Sequence, residues 1–302
     1  MKILKFIKKL SRNIKIALLV LLVVLLSQLV IVKMVYAGKL NQNFSESVAG
    51  FYNLKAGSIK EENKTLNIYL NDYFKNKKFI ISFLESQQDN SGNTEMPSDE
   101  QIKEIVWKKL VKNTWINSLA DENDIKVEPD EIEQYLDFLG GKEKLMEVSK
   151  TNFNISFEEY EKLVVKPSIL EAKVHDYLLS NYQDVDGVSK IQEAYALLER
   201  DSGATWSEVA KMYSDDQTYV EDSLWLKESE LVSFYEPIKE LQVGEFSKIV
   251  KTPLGYIIWK LDDIDNSGQE AVWQARAIFV MGKDIEDFFD EYLEKTEIKK
   301  KY

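Results

Sequence analysis

Few side chains in this sequence could do chemistry. It holds one histidine, His175, and no cysteine, so no His cluster and no thiolate site can form within the chain. Acidic residues number 51, but they are scattered at exposed helical positions and form no constellation. The stretch "KTPLGYIIWKL", Lys251 to Leu261, asks a sharper question. Thr-Pro and Leu-Gly punctuate a turn, and the β-branched and aromatic run that follows reads as a strand. At period 2, Ile257, Trp259 and Leu261 share one face, and Tyr256 and Ile258 the other. Ile257 is then either a plain core residue or an aliphatic side chain standing where chemistry would need a polar one.

The elements around these residues are mostly helical. "SIKE" at Ser58, "SDEQ" at Ser98, "SFEE" at Ser156 and "TWSE" at Thr205 all fit the capping box, Ser or Thr followed three residues later by Glu or Gln. They predict helices from about Ile59 to Leu84, from Asp99 to near Asn123, and from Phe157 into Val165. "VEPDEIEQYLDFLGG" reads as a short helix with Pro129 in its first turn and Gly140–Gly141 at its end. "KPSILEAKVHDYLLSNY" reads as a long one, in which His175 is a surface or cap-adjacent residue rather than a catalyst. "YQDVDG" marks a linker. Two amphipathic helices follow, then a strand, a helix, a Gly244 turn and a strand pair.

Charge is divided unevenly. Residues 1–38 hold seven Lys/Arg and no acid, which leaves 32 cations against all 51 acids in the remainder, a net of −19. An acidic body argues against nucleic-acid binding. It is compatible with basic or unfolded partners, or simply with solubility. "IALLVLLVVLLSQLVIV", Ile16 to Val32, follows six cations and is uncharged for 17 residues. With Met34 to Gly38 extending it past a snorkelling Lys33, it predicts a transmembrane helix, residues 16–38. The cation bias would leave the N-terminus in the cytoplasm, on a single-pass protein of the cell membrane whose bulk is extracytoplasmic. The competing reading is a signal peptide cleaved after Ala37, although its apolar run exceeds the usual length.

Two resemblances organise the rest. "LVKNTWINSLADENDIKVEPDEIEQYLDFLGG…NISFEEYEKLVVKPSILEAKVHDYLLS" resembles the N-terminal domain of SurA/PrsA-type chaperones. The framework "W.E.AK.YSDD", "LW" and "VGEFSKIVKTPLGY", over about 190–264, resembles the parvulin (PpiC-type) peptidyl-prolyl cis-trans isomerases. The family's opening strand is missing before Lys190, but "AVWQARAIFV", Ala271 to Val280, resembles it. A hairpin joining it to the 255–261 strand would give the same sheet with permuted chain order. The expected fold is therefore α+β. It has a basic segment and transmembrane anchor over 1–38, a helical chaperone-like domain over 39–184, and a parvulin-like domain over 188–295 with a small antiparallel sheet flanked by helices.

The parvulin resemblance also implies a site. The family's two histidines fall on Ile257 and Ala277, so the isomerase network is gone. Asp216 of "YSDD" and Thr252 match the remaining polar positions, and Leu231, Tyr235 and Trp225 match the substrate slot. Leu231 and Tyr235, four apart, would share a helix face. The slot residues would also serve as core in any such domain, and Asp216 as a turn or capping residue. The implied function is a membrane-anchored folding factor, with weak or absent isomerase activity, that binds unfolded or proline-containing secreted polypeptides. It needs no cofactor or metal and takes no nucleic acid. An active isomerase and a tethered module for one envelope partner are the alternatives.

Overall fold

The computed structural model describes residues 12–91, 95–181, 184–200, 206–227, 234–268 and 270–302. The chain divides into two compact units: residues 1–118, 128–167 and 295–302, and residues 119–127 and 168–294.

The first unit contains α1 (Arg12–Tyr36), α2 (Gln42–Phe51), β1 (Lys55–Lys60), β2 (Thr65–Tyr69), α3 (Leu70–Ser91) and most of α4 (Asp99–Glu122). It continues with α5 (Pro129–Phe138), α6 (Lys142–Thr151), α7 (Phe157–Tyr160) and the start of α8 (Lys166–Ser180). The last strand, β7 (Glu297–Lys300), pairs with β1 in a three-stranded antiparallel sheet of order β2-β1-β7. Gly57 lets β7 and Trp107 approach β1, because a Cβ there would collide with Lys299 O and the indole ring. Tyr302 then packs edge-on against Tyr73 and Phe74, at 5.0 and 5.4 Å between ring centres.

Two capping boxes form as the spacing predicts. Ser98 and Ser156 each accept from the backbone N–H three residues on, at 3.3 and 3.2 Å, while Gln101 and Glu159 reach back to the capping N–H. Ser58 does not. It lies within β1, and the helix expected from Ile59 begins only at Leu70. Residues 55–69 are a hairpin because Ile59 and Ile68 are buried on one face, and Glu61 N–H closes the turn onto Lys64 O at 2.9 Å. The fourth box, at Thr205, lies outside the described residues.

Pro167 shapes the run from α7 to α8. Between them Glu161–Val165 is a π-helical turn, in which Lys166 N–H bonds Glu161 O, five residues back. Proline cannot donate to Leu163 O, and Lys109 Nζ takes that place at 3.3 Å.

The expected transmembrane helix is overturned: among the described residues no helix is long and apolar enough to cross a membrane. The uncharged run stops at 17 residues between Lys15 and Lys33, about 25 Å of helix against a hydrocarbon core of ~30 Å. The residues meant to extend it belong instead to the fold. Val35 is completely buried, Tyr36 OH donates to Lys55 O at 3.0 Å, and the chain turns at Gly38. The predicted span over residues 16–38 and the single-pass location that rested on it are corrected accordingly. The α+β class with small antiparallel sheets stands.

The second unit contains the remainder of α8, then α9 (Val185–Arg200), α10 (Trp206–Tyr213), α11 (Thr218–Glu221) and β3 (Leu224–Lys227). A 3-10 turn (Glu236–Glu240), β4 (Val250–Thr252), β5 (Gly255–Asp265), β6 (Val272–Met281) and α12 (Ile285–Glu294) complete it. The sheet is antiparallel with order β3-β6-β5-β4. The long β5–β6 hairpin is its centre, with Ile257 opposite Phe279 and Trp259 opposite Ala277. Gly255, at φ +149°, starts β5 where any Cβ would strike Val280 O.

Alternation gives the sheet two apolar faces. On one, Tyr256, Ile258, Ile278 and Val280 pack against Ile191, Ala194 and Leu198 of α9 and Trp206 and Val209 of α10. On the other, Ile257, Trp259, Leu261, Ala275 and Ala277 gather with Leu226 and Ile238. Full burial of a side chain such as Ile258 or Leu261 contributes about 1.5–3 kcal/mol. The ladder bulges at Asp262, whose carboxylate accepts both Arg276 Nε and Nη2, at 2.7 and 2.8 Å, and Ser223 Oγ at 3.1 Å.

A buried carboxylate ties this unit together. Asp184, 3% exposed, accepts Gly187 N–H at the start of α9 and Lys283 N–H beyond β6, at 3.0 and 3.1 Å. Burial and the adjacent Asp184 charge push the Tyr256 phenol up to about 12. Replacing Asp184 with alanine removes a helix cap and leaves buried donors unpaired. The expected loss is about 2–3 kcal/mol, read as a lower urea midpoint.

Alkaline pH attacks the same place. The folded state holds the Tyr256 proton more tightly than the unfolded state, so its contribution is intact below the unfolded value near pH 10 and is lost as pH rises toward 12. About 2 kcal/mol of stability should disappear over that window, and Tyr256→Phe should remove this part of the loss in denaturation at stepped pH.

Candidate functional site

A cavity of about 380 Å³ opens on the second apolar face of the β3-β6-β5-β4 sheet. Its floor is β5 and β6: Ile257, Trp259, Ala277 and Phe279 all line it. These side chains meet because Ile257 opposes Phe279 and Trp259 opposes Ala277, which puts all four on one face of the hairpin. Ile257 is 7% exposed and Ala277 3%. The two positions at issue are therefore diagonal neighbours on one face of the hairpin, and both are hydrocarbon.

One wall comes from the chain ahead of the 3-10 turn. Trp259 Nε1 donates to Phe234 O at 2.9 Å, which fixes the indole and holds this loop over the sheet. Tyr235 packs on Trp259 at 5.2 Å and on Phe234 at 4.4 Å between ring centres. Tyr235 occupies a turn rather than the helix expected there, and Leu231, its expected partner, lies outside the described residues. Leu224 of β3 closes a second side.

The rim is the β4–β5 turn and the "YSDD" loop. Thr252, Pro253 and Leu254 line the cavity from the turn. Thr252 is buried, and its hydroxyl is spent within that turn: it donates to Gly255 O and accepts Leu254 N–H, both at 3.3 Å. The "YSDD" loop is buttoned to β6. Ser214 Oγ accepts Phe279 N–H at 3.1 Å and donates to Asp216 O at 2.7 Å, while Asp215 N–H donates to Phe279 O at 2.7 Å. That places Asp216 at the cavity, half-buried, with one carboxylate oxygen accepting Thr218 N–H at 2.9 Å.

Asp216, Thr252 and Tyr235 thus meet around Ile257 and Ala277. Trp225 does not join them. It alternates with Leu224 and Leu226 along β3, faces away from the cavity and is 56% exposed. His175 is also elsewhere. Its Nε2 lies 2.8 Å from Lys283 O, so that nitrogen carries the proton, and its ring meets the edge of Phe288. Phe234, Pro253, Leu254 and Phe279 line the cavity without having been singled out in the sequence. Phe279 was the most accessible of these, since it shares period-2 parity with Ala277 on the strand already under suspicion.

Such a cavity can strip water from an apolar side chain or ring and hold it beside one carboxylate. Among the described residues that line it, none offers an imidazole, thiol or cation to a reacting bond. Ile257→Ala should enlarge it and cost about 2–4 kcal/mol, measured by chemical denaturation, because the rigid hairpin cannot close over the space.

No family model matches the chain. A stretch of 103 residues, 32% of the chain, is 32% identical to Chaperone SurA of Nitrosococcus oceani. The match spans about a quarter, 24%, of that relative's length. Over that stretch the protein is SurA-like.

Proposed function

We propose that the protein is a folding factor that holds unfolded polypeptide segments. In this reading the cavity of the second unit is a parvulin-type proline site that binds without appreciable isomerase activity. The observation that carries it is an apolar cavity whose floor holds Ile257 and Ala277, the two positions on which the parvulin resemblance would place histidines. The SurA-like stretch supports the chaperone part of the reading. The β5–β6 hairpin supports the parvulin part, since a permuted chain order requires that pairing.

The physical argument concerns the amide. Rotation about an X–Pro bond crosses a barrier of about 18–20 kcal/mol and takes tens to hundreds of seconds unaided. An apolar slot weakens the amide resonance that water favours. Rate enhancement also needs polar groups poised on the rotating amide. Here the Thr252 hydroxyl is committed to its own turn, and Asp216 Oδ1 to Thr218 N–H. The slot binds proline and does little to its isomerisation.

Two measurements on the full chain test this together. In a protease-coupled assay with a proline tetrapeptide, isomerisation should stay near its uncatalysed rate; turnover like that of an ordinary parvulin would overturn the reading. In light-scattering assays, aggregation of several unrelated unfolded clients should be suppressed, and less so by Tyr235→Ala. Binding to one partner with no effect on general clients would mark a dedicated interaction module instead.

A further inference from the structure

The charges around the cavity are not equivalent. Asp215, next to Asp216, is neutralised: Lys190 Nζ lies 2.5 Å from its Oδ1, and Met281 N–H donates to its Oδ2 at 2.9 Å. Lys251, which precedes the Thr252 rim, is neutralised as well. It sits 2.5 Å from Asp176 Oδ1 and also bonds Ser180 Oγ. Asp216 alone among these has no counter-ion, and among the described residues its Oδ2 has no hydrogen-bond partner. No described lysine or arginine lines the cavity. Among the described residues, the apolar slot therefore opens beside one carboxylate that has no counter-ion.

We infer that the cavity selects for cationic peptide segments: an apolar or proline residue enters the slot while a neighbouring lysine or arginine meets Asp216. This rests on the peptide-binding reading above and names the class of segment that site prefers. A half-buried carboxylate next to a low-dielectric wall attracts an incoming ammonium more strongly than an exposed one does. It repels a peptide carboxylate in the same position by a similar amount, and both effects shrink as salt rises. The net charge of −19 beyond residue 38 adds only a diffuse attraction for cations, screened over about 8 Å at physiological ionic strength.

The probes are three N-acetylated, C-amidated tetrapeptides, Lys-Phe-Pro-Lys, Gln-Phe-Pro-Gln and Glu-Phe-Pro-Glu, titrated into the full chain with calorimetry or NMR shifts as readout. The lysine peptide should bind about tenfold tighter than the glutamate peptide at low salt, with the glutamine peptide between them. Asp216→Asn keeps an oxygen for Thr218 N–H, so the loop is retained, and it should cut that ratio to about twofold. Glu208→Gln, an exposed change on α10, removes the same unit of charge and should leave the ratio unaltered. Equal affinities for the three peptides, or a preference that survives Asp216→Asn, would overturn the inference while leaving the slot in place. Failure of all three to bind would remove the peptide-binding reading itself, and the inference with it.

Discussion

The pairing of β5 with β6 is the constraint on which the second unit depends. A strand has two faces, and here both are covered or enclosed: helices α9 and α10 lie on one, the cavity wall on the other. Every residue from Gly255 to Leu261 is therefore committed, and all but Lys260 are fully buried. A slip of one residue would carry Ile257 and Trp259 under the helices and Tyr256 into the cavity. The register is held at both ends. Gly255 admits Val280 and Gly282 at close range, and the Asp262 bulge is clamped by the two-pronged bond from Arg276.

The same pairing accounts for the character of the site. Because the floor residues come from the middle of the sheet, they are rigid, and their chemistry is set by residue type alone. With Ile257 and Ala277 there, nothing polar can be recruited without moving backbone. The polar groups that remain, Thr252 and Asp216, come from the rim, where turns consume most of their hydrogen-bonding capacity. A cavity made this way is well suited to excluding water and poorly suited to stabilising a changing charge. A floor of this kind suits binding better than catalysis, since binding needs only buried area and a few oriented contacts, whereas rate needs a group that acts in the transition state.

Much of this was legible from residue order. Period 2 over Tyr256–Leu261 assigns faces that the structure keeps, and the two long strands pair as a hairpin that puts Ile257 opposite Phe279 and Ala277 opposite Trp259. The capping boxes at Ser98 and Ser156 were readable because each precedes an apolar helical stripe. Ser58 has the same letters, but Ile59 and Ile68 find a better burial in a hairpin, and tertiary packing outweighs a cap of about 1 kcal/mol. Trp225 misled for a related reason: an aromatic residue on a short edge strand carries no mark of which face will be covered. The apolar N-terminal run misled by length, since its counting assumed that Met34–Gly38 were free to continue it, and they are not.

Hydrophobicity alone also misjudges the "YSDD" loop. The two aspartates are adjacent and chemically identical, yet one is an internal fastener and the other faces the cavity. The division follows from backbone geometry. Asp215 N–H and its carboxylate both reach β6, at Phe279 and Met281, so its side chain is drawn over the strand end toward Lys190. The next residue must then turn the opposite way, and its free oxygen is left at the mouth of the slot. Had the lysine at position 190 lain within reach of both carboxylates, neither charge would be available to a ligand. Electrostatic character at this site is thus a consequence of how one loop is stitched to one strand, and the stitch is Ser214, a buried hydroxyl that bonds both partners.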